Sequence, residues 1–558
     1  MTRNLIASIV TPAALVMMVS TASAQKITDE HVQELIRIAA ERAGASPQGS
    51  APSPQTTAGS DARGTLALSL DDAIKLALDR NLDIAVQRLN PQTFDYSISG
   101  LRAVYKPTLT STVSSQSATN ASTQTISGAA AGFGVTTDLT NWNGGLAQSL
   151  KWGGGNVSVT LNNSRQTSNS PNTLYKTLYG PSWSALYTQP LLRNFRIDNN
   201  RQQLVVTKLN QDISEIQLQA LIINTVSNVR NAYWDYVFAT QSVDVANRSV
   251  ALADQLVKDN QTRVEIGTMA PIDIVQAQSQ AATQRQNLAT AEGTRRTAEL
   301  TLKRLIVGGT QDPNWNAAIN PTDQPDFVPA TVDVAAAVRR ALDSRTDLQQ
   351  ARKNLQVNDV TMKYLQNQTL PQADFVARYA LAGQGGTVYT TQGTGITRTI
   401  TGEVPGGYLD ALSTLFGHNY PTWNFAVNVS YPIGTSAQEA TVARAHVQQS
   451  QVEAQLKQLE LQIATDVTNA ATQVQSNVER VQAAQVAREF SQRQLEAEQS
   501  KFEVGMQTNY FVVQAQRDLA TAQNNELQAI LAYRRSLVEL ERLQQTSLTT
   551  SNITILGR

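Results

Sequence analysis

Two stretches decide the fold: RVEIGTMAPIDIVQAQ at 263–278 and KFEVGMQTNYFVVQAQ at 501–516. Aligned, they pair Gly267 with Gly505 and Gln276 with Gln514, each pair 238 residues apart (505 − 267). Ahead of each lies a run without proline or internal glycine, from about Asn199 to Glu265 and from about Ala437 to Val504. Such runs predict single unbroken helices. Glycine at the end of the outgoing helix supports a tight reversal, and Pro271 suits the first turn of the returning one. At 1.5 Å per residue, about 68 residues make a helix of roughly 100 Å, far longer than a globular core needs. Val467, Val474, Val481, Leu495 and Phe502 lie on one seven-residue grid, broken by Arg488, with Ala464, Ala471 and Val478 on its companion. This is a coiled-coil seam of small residues, which brings helices close together.

The returning helices, 271–306 and 508–545, are only half as long. Helical segments at 82–106 and 346–369 supply the remainder, since about 36 and 25 residues end to end reach roughly 90 Å. These segments belong to the same duplicated unit. LSLDDAIKLALDRNLDIAVQR at 68–88 has the design of VDVAAAVRRALDSRTDLQQARK at 332–353, and Asp83/Asp347 and Pro107/Pro371 both stand 264 residues apart (347 − 83). Asp71 and Asp72 place negative charge at a helix start. After each proline the helical pattern stops, as proline permits. Extended segments follow at 108–127 and 372–383, then PSWSALYTQPLL at 181–192 and PTWNFAVNVSYPI at 421–433. Leu186 and Thr188, and in the other half Phe425, Val427 and Val429, alternate with their neighbours at the two-residue period of strands. The Gly/Asn/Ser/Thr-rich stretches at 128–180 and 383–420 read as exposed loops, with an additional hairpin at 146–166 turning about Gly153-Gly154-Gly155. That hairpin is either extracellular or part of a barrel. The glycine run lacks the lysine and helix of a phosphate loop and reads as a turn.

Composition narrows the function. Charge balances at 45 basic and 45 acidic residues, so nothing attracts nucleic acid. Cysteine is absent, which excludes disulfides, thiolate metal sites, a cysteine nucleophile and an N-terminal lipid-bearing cysteine. His31, His418 and His446 are too far apart for a ligand motif, so neither metal nor cofactor is expected. Arg3, an apolar stretch from Leu5 to Val19, and Ala22-Ser23-Ala24 have the order of a secretory signal cleaved after Ala24, residues 1–24. Beyond it no run is apolar enough for a spanning helix. Residues 27–43 read as a short amphipathic helix and 44–64 as a flexible linker, together an N-terminal region of 25–65. The first repeat occupies 66–325, the second 326–545, and 546–558 is a C-terminal tail.

In order and spacing, the paired prolines, TQPLL at 188–192 and the Ile266-Gly267-Thr268 and Val504-Gly505-Met506 turns resemble the TolC-like outer-membrane factor family over nearly all of 66–545. The resemblance implies an α+β membrane protein: a trimeric 12-stranded β-barrel, four strands from each protomer, continuous with a long periplasmic α-helical barrel and carrying an internal two-fold repeat. It implies a passive exit duct in the bacterial outer membrane, serving efflux or type I secretion. Partners would be two further copies, outer-membrane lipid, a periplasmic adaptor docking on the two tip turns, and an inner-membrane transporter. The glycines alone would also fit mere helix reversals; it is the resemblance that favours docking.

Asp273, six residues after its tip glycine, matches an aspartate that the family uses in closing contacts. Its expected partners, a tyrosine and an arginine, are Phe502 and Gln507 here, and the two constriction aspartates are replaced by Phe511 and Gln514. An apolar or amide constriction at Phe511 fits these changes, as does a Phe511 packed between helices. A periplasmic coiled-coil adaptor or structural envelope protein is the alternative, although such proteins carry one hairpin, not two bracketed by strands. An enzyme is not expected, since no GxSxG, HExxH or paired-carboxylate motif stands in a suitable context.

Overall fold

The computed structural model describes residues 65–121, 134–170, 172–324, 326–393, 398–434 and 436–550. The expected signal segment, N-terminal helix and linker, and most of the C-terminal tail lie outside them. The first half runs β1 (Thr65–Leu68), α1 (Leu70–Arg80), α2 (Leu82–Ala103), β2 (Thr108–Ala121), β3 (Gly134–Ser149), β4 (Asn156–Ser168), β5 (Tyr175–Tyr179), β6 (Ser182–Pro190), α3 (Asn199–Glu265) and α4 (Pro271–Ile306). The second runs β7 (Ala318–Pro321), α5 (Val334–Ser344), α6 (Thr346–Gln368), β8 (Gln372–Ala382), β9 (Gly385–Gln392), β10 (Thr399–Val404), α7 (Tyr408–Phe416), β11 (Tyr420–Ser430), α8 (Ala437–Glu503) and α9 (Asn509–Gln544), then the short α10 (Ser547–Thr550).

The two long helices have 67 residues each and the two returning helices 36 each. At 1.5 Å per residue the long pair extends about 100 Å. The helical stretch at 68–88 divides at Asn81, whose side chain accepts the N–H groups of Asp83 and Ile84 and so caps α2. Val467, Val474 and Val481 of the predicted seam are fully buried, with Leu495 and Phe502 nearly so. Each such side chain contributes about 1.5–3 kcal/mol through burial. Arg488, which interrupts the grid, reaches out to Glu526 of α9 at 2.7 Å. Asn477 is buried on the same helix and donates to the Ala532 carbonyl at 3.2 Å, a polar contact that fixes the stagger of α8 on α9.

Midway along the molecule the helices are belted by a two-stranded parallel sheet in which Thr65 of β1 pairs with Ala318 of β7. Tyrosines of α3 tie this belt down. The Tyr233 hydroxyl reaches the Leu68 carbonyl (3.0 Å) and Asp323 Oδ2 (2.9 Å), and that of Tyr236 donates to the Ile319 carbonyl at 2.5 Å. Burial, followed by the hydrogen bond to Asp323, pushes the Tyr233 phenol well above its ordinary value, so it stays protonated and able to donate.

The main sheet contains the hairpin expected at 146–166 and corrects the reading of the rest of 128–180 and of 383–420 as loops. Those stretches hold β3, β4 and β5, and β9, β10 and α7. Their Ser, Thr and Asn residues alternate with apolar ones along strands, a pattern weaker than a core strand's. The four expected strands, β2, β6, β8 and β11, are all present, with the β3–β4 hairpin inserted after the first, so the sheet order is β2-β3-β4-β6-β8-β11. A branch, β5-β9-β10, leaves the far end of β4. The hairpin turns at Gly153 and Gly154, whose φ values of 65° and 67° suit glycine. Gln189, buried in the TQPLL segment, donates to the Gly153 carbonyl at 2.8 Å and fastens this turn to the end of β6.

Tyr233→Phe removes the one hydroxyl proton shared between the Leu68 carbonyl and Asp323, which are left with the Thr322 and Leu70 N–H groups respectively. We expect a loss of about 1–3 kcal/mol, read as a lower unfolding midpoint in detergent; an unchanged midpoint would show that the belt is held by packing alone.

Candidate functional site

At the far end of the long helices, α3 and α8 close by the same device. Thr268 N donates to Arg263 O and Met506 N to Lys501 O, both at 2.9 Å, while Gly267 N and Gly505 N donate to Val264 O and Phe502 O. These are Schellman-type closures with the glycine in the left-handed region, φ 81° at Gly267 and 76° at Gly505. Nothing lies within 4 Å of where a Cβ would stand on either glycine, so backbone conformation alone demands them. The side chains beside them point into solvent: Ile266, Thr268, Val504 and Met506 are all exposed, Met506 at 77%.

Beneath the tips sits a small core of Leu256, Leu495, Phe502, Val512, Val513, Ala515 and Leu519, with Met269 against it. Phe502, 7% exposed, is its outermost member. The Arg263 guanidinium lies 4.4 Å from the Phe502 ring centroid, and its Nη1 donates to the Phe502 carbonyl at 3.2 Å, joining the two hairpins. Sequence reasoning did not single out Arg263, because a basic residue in the last helical turn is already explained by the helix dipole. Arg517, also missed, crosses from α9 to donate to the buried Gln280 of α4 at 2.7 Å.

Asp273 is half-buried in the first turn of α4, where its carboxylate faces the positive end of the helix, and its carbonyl receives Asn509 Nδ2 at 3.5 Å. The structure thus brings Asp273 near the start of α9, but places Phe502 in the core instead of beside it. Gln507 is half-buried at the turn. Phe511 is 47% exposed and meets Tyr510 edge-on at 5.6 Å, so within the protomer it is not wedged between helices. Gln514, three residues on, is exposed and donates to Asp518 at 2.9 Å. His418 and His446 are exposed, and the described residues contain no group of metal-ligating side chains. No described helix is long and apolar enough to cross a membrane.

The model of the family described as outer membrane efflux protein matches residues 156–308 and 337–544, the two repeats in turn. The chain belongs to the outer membrane efflux protein family. Among solved structures, the efflux-family fold here is similar to CusC (16% identity, TM-score 0.60, covering 89% of this chain and 98% of that one), whose report concerns transmembrane channel formation. It is likewise similar to the CmeC outer membrane channel of Campylobacter jejuni (13%, 0.59, 92% and 99%) and to the open state of the Neisseria gonorrhoeae MtrE outer membrane channel (16%, 0.55, 89% and 97%). No curated protein sequence matches the chain. As an outer membrane efflux protein it has the channel fold, a β-barrel continuous with a helical barrel and built from an internal repeat.

Gly505→Ala forces a side chain into the left-handed region at a cost of about 1–2 kcal/mol, whereas Gly505→Asn, which tolerates that region, costs less. Limited proteolysis at the tip should therefore be faster in the alanine variant than in the asparagine one; equal rates would mean that the turn is not closed by its glycine.

Proposed function

We propose that three copies of this chain form a passive exit duct through the outer membrane, and that a periplasmic adaptor docks on its two tips to link it to an inner-membrane transporter. Tripartite efflux and type I secretion both use such a duct. The observation that carries this reading is the pair of matched tips. Each ends a 67-residue helix and offers exposed side chains, Ile266 and Thr268 on one, Val504 and Met506 on the other; the Thr268 hydroxyl bonds back to the Arg263 carbonyl at 3.0 Å, leaving its methyl outward with the three apolar groups. Apolar groups held out on a rigid turn are suited to burial against another protein. Sequence offsets, turn hydrogen bonds and φ values agree between the tips, so one adaptor surface could meet both.

The constriction is proposed at the first turns of α9. Tyr510, Phe511 and Gln514 are exposed there, and neither the aromatic pair nor the amide carries charge. Three copies brought together would close the passage with rings and amides in place of an acidic ring, a dewetted barrier with no selectivity for cations. Phe511→Ala should raise single-channel conductance in planar bilayers and increase entry of large antibiotics into cells; unchanged conductance and leakage would remove Phe511 from the gate.

For the tips, Ile266→Glu and Met506→Glu place charge where an apolar contact is proposed. Efflux or secretion in cells should fall by at least tenfold, and cross-linking to the adaptor should be lost, while the purified variants remain folded and trimeric. Full activity in the double variant would exclude docking at these turns.

A further inference from the structure

The β3–β4 hairpin stands where the two repeats differ most. From the start of β2 to the start of α3 there are 91 residues (199 − 108), and from β8 to α8 there are 65 (437 − 372). The first repeat is therefore 26 residues longer across its strand region. The extra strands are long: β2 pairs with β3 from Thr108↔Ala147 to Ala121↔Gly134, and β3 with β4 from Ser149↔Asn156 to Thr137↔Ser168. A membrane-crossing strand needs only about 9–11 residues. Moreover, β2 has no ladder to β6; the hairpin is the only link between them among the described residues.

Register shows which face each residue occupies, because partners across a ladder share a face and neighbours along a strand alternate. One face carries Leu109 and Val113 on β2, Trp142 and Leu146 on β3, and Val157, Val159 and Leu161 on β4. It continues through Trp183, Ala185 and Tyr187 on β6 and Phe375, Ala377 and Tyr379 on β8 to Trp423, Phe425, Val427 and Val429 on β11. The opposite face carries Thr110, Thr112 and Ser114, then Asn141 and Asn143, then Ser158, Thr160 and Asn162, and further on Ser184, Asp374, Arg378, Asn424 and Asn428. The apolar band therefore runs without a gap through the hairpin, and so does the polar one. At the base, Trp152 in the hairpin turn is exposed and edge-on to Phe195, an aromatic where an aromatic girdle belongs.

We infer that β3 and β4 are wall strands of the barrel, so that each protomer contributes six strands and the trimeric barrel closes with eighteen. The inference rests on the trimeric outer-membrane reading above. Directions are consistent with closure. Every neighbour from β2 to β11 is antiparallel, and with six strands β11 of one copy runs opposite to β2 of the next. With strands about 4.8 Å apart and tilted about 40°, the backbone diameter rises from about 24 Å for twelve strands to about 36 Å for eighteen. The outer mouth then admits cargo that a narrower barrel would not pass, and selection by size falls to the periplasmic end.

The absence of cysteine allows a direct test with single-cysteine variants carrying an environment-sensitive fluorophore, in the full-length protein reconstituted in vesicles. Val159→Cys and Leu161→Cys should be quenched several-fold more by a nitroxide on the lipid chain than by aqueous iodide, and Ser158→Cys and Thr160→Cys the reverse. Phe425→Cys and Val427→Cys on β11 serve as reference. If the reference pair reports lipid while all four hairpin positions report water, the hairpin lies outside the wall and the inference falls alone; if the reference pair also reports water, the outer-membrane reading falls with it. Electron cryomicroscopy of the extracted trimer should count eighteen strands, and a count of twelve would overturn the proposal.

Discussion

Backbone pairing at the two ends of the sheet is the constraint on which the rest depends. Among the described residues β2 pairs only with β3, and β11 only with β8, so each presents one unpaired row of N–H and C=O groups. In hydrocarbon each such group costs several kcal/mol, and only closure removes them. A single protomer cannot close six strands on itself while holding four long helical columns beneath them. Association is thus imposed by the strands, and the helices inherit it: once the sheet edges are joined, the hairpins of neighbouring copies are brought side by side whatever their own affinity.

The helices solve a different problem, that of staying in register over about 100 Å. A seam of valine and alanine lets them approach closely but would tolerate sliding by a heptad. Individual polar contacts resist that slide. Asn477 on the Ala532 carbonyl, Arg488 on Glu526, and Arg517 on Gln280 each connect one level of one helix to one level of another. The belt of β1 and β7 with Tyr233 and Tyr236 fixes the same alignment at mid-height.

Much of this was legible in the sequence, and what was not has a common cause. Helix limits at Pro271, Ala437 and the tip glycines follow from local chemistry: proline, glycine and caps act on their own turn. The tip turns themselves are local, which is why Gly267 and Gly505 stand out as letters. The hairpin about Gly153-Gly154-Gly155 was legible from its glycines, but the full length of β3 was not, because a strand with apolar residues only at scattered places, such as GVTTDLTNWNGGLAQS, reads as a loop until its partners are known. Likewise Phe502 was matched to a family tyrosine by position, while its actual partner, Arg263, lies 239 residues away and is revealed only by packing.

The two repeats have kept their helix lengths and tip turns while diverging between them. Strand regions differ by 26 residues, and the residues six after the tip glycines, Asp273 and Phe511, differ in kind, yet both copies keep 67 and 36 residues in their paired helices. This equality works as a caliper. If one adaptor meets both tips, as proposed, a heptad gained or lost in one copy would leave its tip about 10 Å out of plane. Length is therefore free to vary in the strand region, where the first repeat carries 26 residues more, and held constant in the helical hairpins, where the repeats differ by substitution alone.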